Sequence, residues 1–321
     1  MTTALTRQQS STTLTPLGEA VAEYIAAAQA PATVRAYASD WRDFAEWCDS
    51  HDVSPMPASA DTVAGYIADL ARSGAKTATI ERRISALSVK HKRANQPNPC
   101  RAELVREALA GIKRKHGTAA TKKQPMRLDD LRAFCHCQTD DLAGVRNRAM
   151  LALLFAGALR RAELVALDRA DLRISAREMT VTLRRRKTDQ DGKGTTIRIQ
   201  AVDGSDVCPV AAMTRWIAMA SIDAGPLFRP IYKDKPIERR LTAQVVAAIV
   251  KAAARACGLD ARDFGGHSGR SGFVTEAFEA GVAEAEIMEV TGHRSQAMMR
   301  GYRRVTGTEQ TRAIARVFGA R

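Results

Sequence analysis

Tyrosine is scarce in this chain, with five among 321 residues, and aromatic residues of all kinds make up 5%. No run of eighteen apolar residues occurs, and the first residues lack the basic start, apolar stretch and small-residue cleavage site of a leader. A cytoplasmic protein, of bacterial, phage or plasmid origin, is the expectation. Cysteine is sparse and scattered (Cys48, Cys100, Cys135, Cys137, Cys208, Cys257), so reduced thiols fit better than a disulfide framework. Only "CHC" at Cys135, His136 and Cys137 hints at a metal, and no second ligand pair stands at zinc spacing. A carboxylate cluster for two metal ions is also lacking. No metal and no cofactor are expected.

Positive charge, by contrast, is abundant: the formal net charge is +14. Its distribution says more. Residues 1–81 hold five Lys/Arg against ten Asp/Glu, a net of −5, whereas residues 82–123 hold twelve against two, a net of +10. Such a block is the electrostatic footprint of a polyanion partner, with nucleic acid foremost.

Residues 1–16 are polar, rich in Thr and Ser and without period, as a disordered tail would be. A helical DNA-binding domain is expected over 17–115. Val34, Tyr37, Trp41, Phe44 and Cys48 recur at steps of three and four, drawing one apolar stripe. A second helix is capped by Ser59 or Asp61 and stopped at Gly74. A third turns Ile80, Ile84 and Leu87 inward while Arg82, Arg83, Lys90, Lys92 and Arg93 supply cations, and Val105, Leu109 and Ile112 mark a fourth. Residues 116–125 have the composition of a linker, and a second domain is expected over 126–321. There the period switches from helix to alternation: Met179, Val181 and Leu183, then Ile197 and Ile199, flank "DQDGKG" as a β-hairpin before helix resumes. The expected fold is mainly α with a small antiparallel β-sheet.

Three cationic elements carry chemistry: "ALRRAEL", the hairpin lysines and "GGHSGRSG". Arg160 and Glu163 stand three apart, so on a helix the carboxylate orients the guanidinium. His267 and Arg270 have the same spacing after Gly-Gly, which places them in the first turn of a helix whose N-terminus favours an anion. With His293, a lysine and Tyr302, the set suits a phosphate.

This ordered set, Arg…Lys…His-x-x-Arg…Gly-His…Tyr with the tyrosine nine residues after the second histidine, resembles the tyrosine recombinase (phage integrase) family, and within it the Cre-like recombinases. One departure is His293, where Cre has Trp. The resemblance implies a two-domain C-shaped clamp and site-specific DNA recombination through a 3′-phosphotyrosine intermediate and a Holliday junction. It makes Tyr302 the nucleophile, Arg160 and Arg270 the phosphate clamp, His267 and His293 the rest of its shell, Glu163 their support and Lys187 the general acid. Lys193 in the same hairpin is the alternative acid.

The residues agree with that chemistry. A phenol has a pKa near 10 and needs an electropositive pocket to attack at neutral pH. Fixed guanidinium forks neutralise the nonbridging oxygens, and a lysine ammonium protonates the alkoxide leaving group. On one continuous helix nine residues, at roughly 100° each, would leave Tyr302 opposite His293, so a bend is expected between them, with Ser295 as a cap. By resemblance to the Cre-like recombinases, Arg35, Arg82, Arg83 and Gln244 are candidates for base edges in the major groove, with phosphate contact the alternative for each arginine, and Lys90, Lys92 and Arg93 are candidates for further DNA contact. Ala313, Ile314, Val317 and Phe318 line one side of a last helix, which by resemblance is donated to a neighbour in a homotetramer bound to two inverted-repeat sites. A type IB topoisomerase, a telomere resolvase and a non-catalytic DNA-binding relative are the competing readings.

Overall fold

The computed structural model describes residues 20–21, 23–25, 28–119, 123–184, 186, 194–293 and 299. The chain divides into two compact units, Met1–Thr121 and Lys122–Arg321. The expected tail at 1–16, the bend after His293 and the last helix lie outside the described residues.

Among the described residues, the first unit holds four long helices: α1 (Pro31–Ser50), α2 (Ala60–Arg72), α3 (Thr77–Arg93) and α4 (Glu103–His116). Ser59 caps α2 by accepting from the Thr62 N–H at 3.0 Å. Phe44, Cys48, Val63, Tyr66, Ile67, Ile80, Leu87, Val105 and Ile112 form its core. Here the stripe on α1 departs from its sequence reading: Val34 is exposed, Tyr37 and Trp41 are half-buried, and Asp40 is buried. Asp40 tolerates this because Arg82 of α3 donates to it at 2.6 Å. Burial pushes its carboxyl above the usual range against the pull of Arg82 and Arg83.

In the second unit, α5 (Leu128–His136) and α6 (Leu142–Ala156) precede a short α7 (Arg161–Ala166). A three-stranded antiparallel sheet follows, ordered β1 (Leu172–Ile174), β2 (Glu178–Leu183), β3 (Thr195–Gln200). Val181 pairs with Ile197 and Met179 with Ile199, and the alternating residues from Met179 to Ile199 are buried on one face, as the period of two requires. Strand β1 is an addition to the expected hairpin. The unit continues with α8 (Pro209–Ala220), a short hairpin of β4 (Ile231–Tyr232) and β5 (Lys235–Pro236), α9 (Ala243–Ala256), α10 (Ser268–Glu279) and α11 (Glu284–Thr291).

Helix α6 is apolar nearly all round and runs through the core, with Met150, Leu151, Leu153 and Leu154 buried. Helix α10 lies hard against the chain ahead of α5: a Cβ on Gly272 would stand 1.8 Å from the Met126 carbonyl oxygen. Only glycine permits that approach, and it fixes where the start of α10 points.

Candidate active site

The apolar run through α6 and α7 is broken at one turn. After Gly157, Ala158 takes the left-handed conformation, φ +46°, a strained choice for a residue with a Cβ. The turn redirects the chain so that Arg160 precedes α7 as its cap residue and is not on the helix face first expected. Glu163, buried in the first turn, accepts from the Arg160 backbone N–H at 2.9 Å and from its Nη1 at 2.6 Å. One carboxylate thus caps the helix and holds the guanidinium.

The same turn supplies the second arginine with a partner. Arg270, in the first turn of α10 and fully buried, donates from Nη1 to the Ala158 carbonyl at 2.7 Å. Its Nη2 lies 3.0 Å from His293 Nε2. Arginine can only donate, so Nε2 is the acceptor, and the imidazole proton sits on Nδ1, facing the Thr291 hydroxyl at 2.8 Å. Thr291 in turn donates to the Ile287 carbonyl at 2.7 Å. Burial and the charges of Arg270, Arg160, His267 and Arg186 hold His293 down to about 4. His267, immediately before α10, keeps solvent contact, yet partial loss of water around its ring and the charges of Arg270, Arg160 and Arg161 hold it below its usual range. Two fixed guanidinium groups and two neutral imidazoles, with Glu163 already committed to Arg160, form an arrangement suited to an oxyanion.

One buried cation here was not singled out in the sequence. Arg186 follows β2, is 4% exposed and donates from Nη2 to the Val290 carbonyl at 2.9 Å. It falls just past the alternating strand, where the period of two carries no information about burial. Lys187, Lys193 and Tyr302 lie outside the described residues.

Of the candidate DNA-contact residues, Arg35, Lys90, Lys92, Arg93 and Gln244 are exposed. Lys90 stands over the Trp41 ring at 5.3 Å, and Arg93 donates to Gln29 at 3.1 Å. Arg82 is half-exposed and bound to Asp40. Arg83 turns inward instead of outward: it donates to Asp43 at 2.9 Å and to the Tyr66 hydroxyl at 2.6 Å, joining α1, α2 and α3. In the "CHC" segment Cys135 is buried while His136 pairs with Asp206 at 2.8 Å, and no group of three potential metal ligands occurs among the described residues.

The sequence matches the phage integrase family over residues 124–309 and the phage integrase N-terminal SAM-like domain over residues 22–95. The chain belongs to the phage integrase family. It is 37% identical over 275 residues to an integrase/recombinase xerD homolog of Selenomonas ruminantium, covering 84% of this chain and 80% of that protein. Recombinase cre of Escherichia phage P1 is 24% identical over 300 residues, covering 86% and 84%, so the likeness to Cre is present but more distant. Among solved structures, XerH site-specific recombinase bound to a palindromic difH substrate superimposes with a TM-score of 0.57 at 16% identity, over 80% of this chain and 70% of that one, a likeness of fold. The protein is a tyrosine recombinase, and its function is site-specific DNA recombination.

Proposed function

We propose that the protein cleaves and rejoins DNA through a 3′-phosphotyrosine intermediate, with Tyr302 as nucleophile and the Arg160–Arg270 pocket as the phosphate site. The observation that carries this reading is the Ala158 turn: its carbonyl holds Arg270 two residues from Arg160, which joins two arginines 110 positions apart in the chain. The Tyr302 oxygen attacks phosphorus, the phenolic proton is lost to a base, and the bond to the 5′ oxygen breaks as Lys187 protonates it. A 5′-hydroxyl from the partner strand then reverses the step, releasing Tyr302. Bond energy is conserved in the phosphotyrosine link, so rejoining draws on no nucleotide, and the arginine forks and lysine ammonium supply the charge stabilisation that a metal would otherwise give. His267 and His293 complete the phosphate shell, and Glu163 supports Arg160.

The organisation proposed around this chemistry is a helical domain over 17–115, a linker over 116–125 and a catalytic domain over 126–321, closing as a clamp on duplex DNA. Arg35, Arg82, Lys90, Lys92, Arg93 and Gln244 face it, with Arg83 shaping the surface from within. Four copies act on two inverted-repeat sites in the cytoplasm through a Holliday junction, joined by the segment bearing Ala313, Ile314, Val317 and Phe318. Relatives whose solved structures hold recombination-site DNA support this partner.

Tyr302→Phe keeps the pocket and loses the only oxygen able to take the phosphate, so DNA binding persists with no covalent product. Lys187→Ala slows cleavage by roughly 10²- to 10⁴-fold, the usual worth of general-acid catalysis. A substrate with sulfur at the 5′-bridging position has a leaving group that needs no proton, and it restores cleavage to Lys187→Ala but not to Tyr302→Phe. Rescue of Lys193→Ala instead moves the acid to that lysine, and an adduct formed by Tyr302→Phe rejects the nucleophile. Tight binding by the unaltered protein without any adduct selects a non-catalytic relative.

A further inference from the structure

Arg186 is an expensive residue to bury. Its Nη2 satisfies the Val290 carbonyl, yet Nε and Nη1 are sealed from solvent and meet no acceptor among the described residues. Each unmet donor costs about 1–3 kcal/mol, more for a charged group. Among the described residues the carboxylate acting on it is Glu163, which Arg160 already occupies; burial lowers Arg186 below its usual range, and the Arg160 charge adds to that. Among the described residues, stability does not explain this side chain.

Its position does. The guanidinium lies across the turn that ends α11: Gly292 takes φ +66°, and a Cβ there would fall 2.1 Å from Arg186 Nη1. The next residue is His293, whose Nε2 accepts from Arg270. A connected path thus runs from the end of β2, through Arg186, to the Val290–Gly292 backbone, then His293 and the buried fork of Arg270. We infer that Arg186 is a positioning residue for strand cleavage, bracing the Val290–Gly292 turn so that His293 sets the orientation of Arg270 at the phosphate. The inference rests on the proposed function of that pocket. The charges facing His293 are Arg270, Arg160, His267 and Arg186, and the Thr291 hydroxyl meets its other nitrogen. Removing Arg186 takes away one of the cations that keep the imidazole neutral.

The test compares the full-length protein with Arg186→Met and Arg186→Lys, measuring thermal melting, DNA affinity and single-turnover adduct formation across pH. Methionine fills similar space without unmet donors, so the melting temperature is unchanged or raised, as when a buried charge yields to an apolar residue of like volume. Affinity is unaltered, whereas adduct formation falls by roughly 10²-fold, the effect of a small misplacement at the reacting centre. Lysine keeps the charge and a donor for Val290, and it recovers part of the rate. In Arg186→Met the acid limb of the rate profile moves toward neutrality, because His293 protonates more readily.

Adduct formation within about threefold of the unaltered protein, a much smaller loss than a 1 Å misplacement can bring, overturns the inference, as does a loss equal at every pH. Full rescue of Arg186→Met by a scissile methylphosphonate, which lacks the phosphate's negative charge, also overturns it by showing direct phosphate contact. Should Arg186→Met fail to fold, Arg186→Gln, neutral yet able to donate to Val290, is judged by the same outcomes. Failure of the unaltered protein to form a Tyr302 adduct defeats the recombination reading; an adduct there with a fully active Arg186→Met defeats only this inference.

Discussion

Replacing Glu163 should cost both stability and cleavage, and the two losses are separable. The carboxylate is 6% exposed and makes two bonds, one capping α7 through the Arg160 N–H and one to the Arg160 guanidinium. Losing a cap costs about 0.5–2 kcal/mol, and losing a charged hydrogen bond about 1.5–3 kcal/mol. The two share one residue and do not add fully, so Glu163→Ala destabilises the second unit by about 2–4 kcal/mol. For a unit of roughly 200 residues this lowers the melting temperature by roughly 5–15 °C. Glu163→Gln retains an oxygen for the Arg160 N–H but not the charge, so it recovers the cap and about half of the melting loss. Both variants release Arg160 from its fixed orientation, and adduct formation falls by roughly 10- to 100-fold even at temperatures where they are fully folded. Differential scanning calorimetry and single-turnover cleavage at low temperature read the two effects. Refutation would come from a Glu163→Ala protein that melts with the unaltered one, since the cap and the buried ion pair would then contribute nothing.

Three further outcomes are expected. His293 is held at about 4 against an ordinary 6.5, so the stability it leaves to the folded second unit is present above 6.5 and is lost as pH falls through that window; melting measured down to acid pH should show the decline, and His293→Gln should reduce it. Asp40 has the opposite sign: its carboxyl is raised by burial, so the folded first unit favours the protonated form, and Asp40→Asn should melt no lower than the unaltered protein at neutral pH, with any advantage fading in acid. Asp40→Asn melting well below it would show that the Arg82 pair outweighs desolvation. DNA affinity should fall steeply with salt, each neutralised phosphate adding roughly −0.9 to the slope of log K against log salt over on the order of ten contacts. A nearly flat response would defeat the clamp.

The amino-acid sequence by itself determined the elements and the short-range chemistry of this protein. Periods of 3.6 and 2 are local properties, and they placed Phe44, Cys48, Ile80 and Leu87 in one core and Met179, Val181 and Ile197 on the buried face of a hairpin. Arg160 with Glu163, and His267 with Arg270, could be paired because each pair lies within one turn. Contacts between distant segments leave no such period. The left-handed Ala158 that holds Arg270, the neutral tautomer of His293, and the inward turn of Arg83 toward Asp43 each depend on packing between segments far apart in the chain. Nothing in the local sequence marks Asp40 for burial, which depends on Arg82, forty-two residues on, at 2.6 Å. Arg186 was one cation in a run of them, and only the Gly292 turn closing over it set it apart. Charge and periodicity say which groups must be accommodated; which partner lies within hydrogen-bond reach is decided by the three-dimensional packing of the backbone.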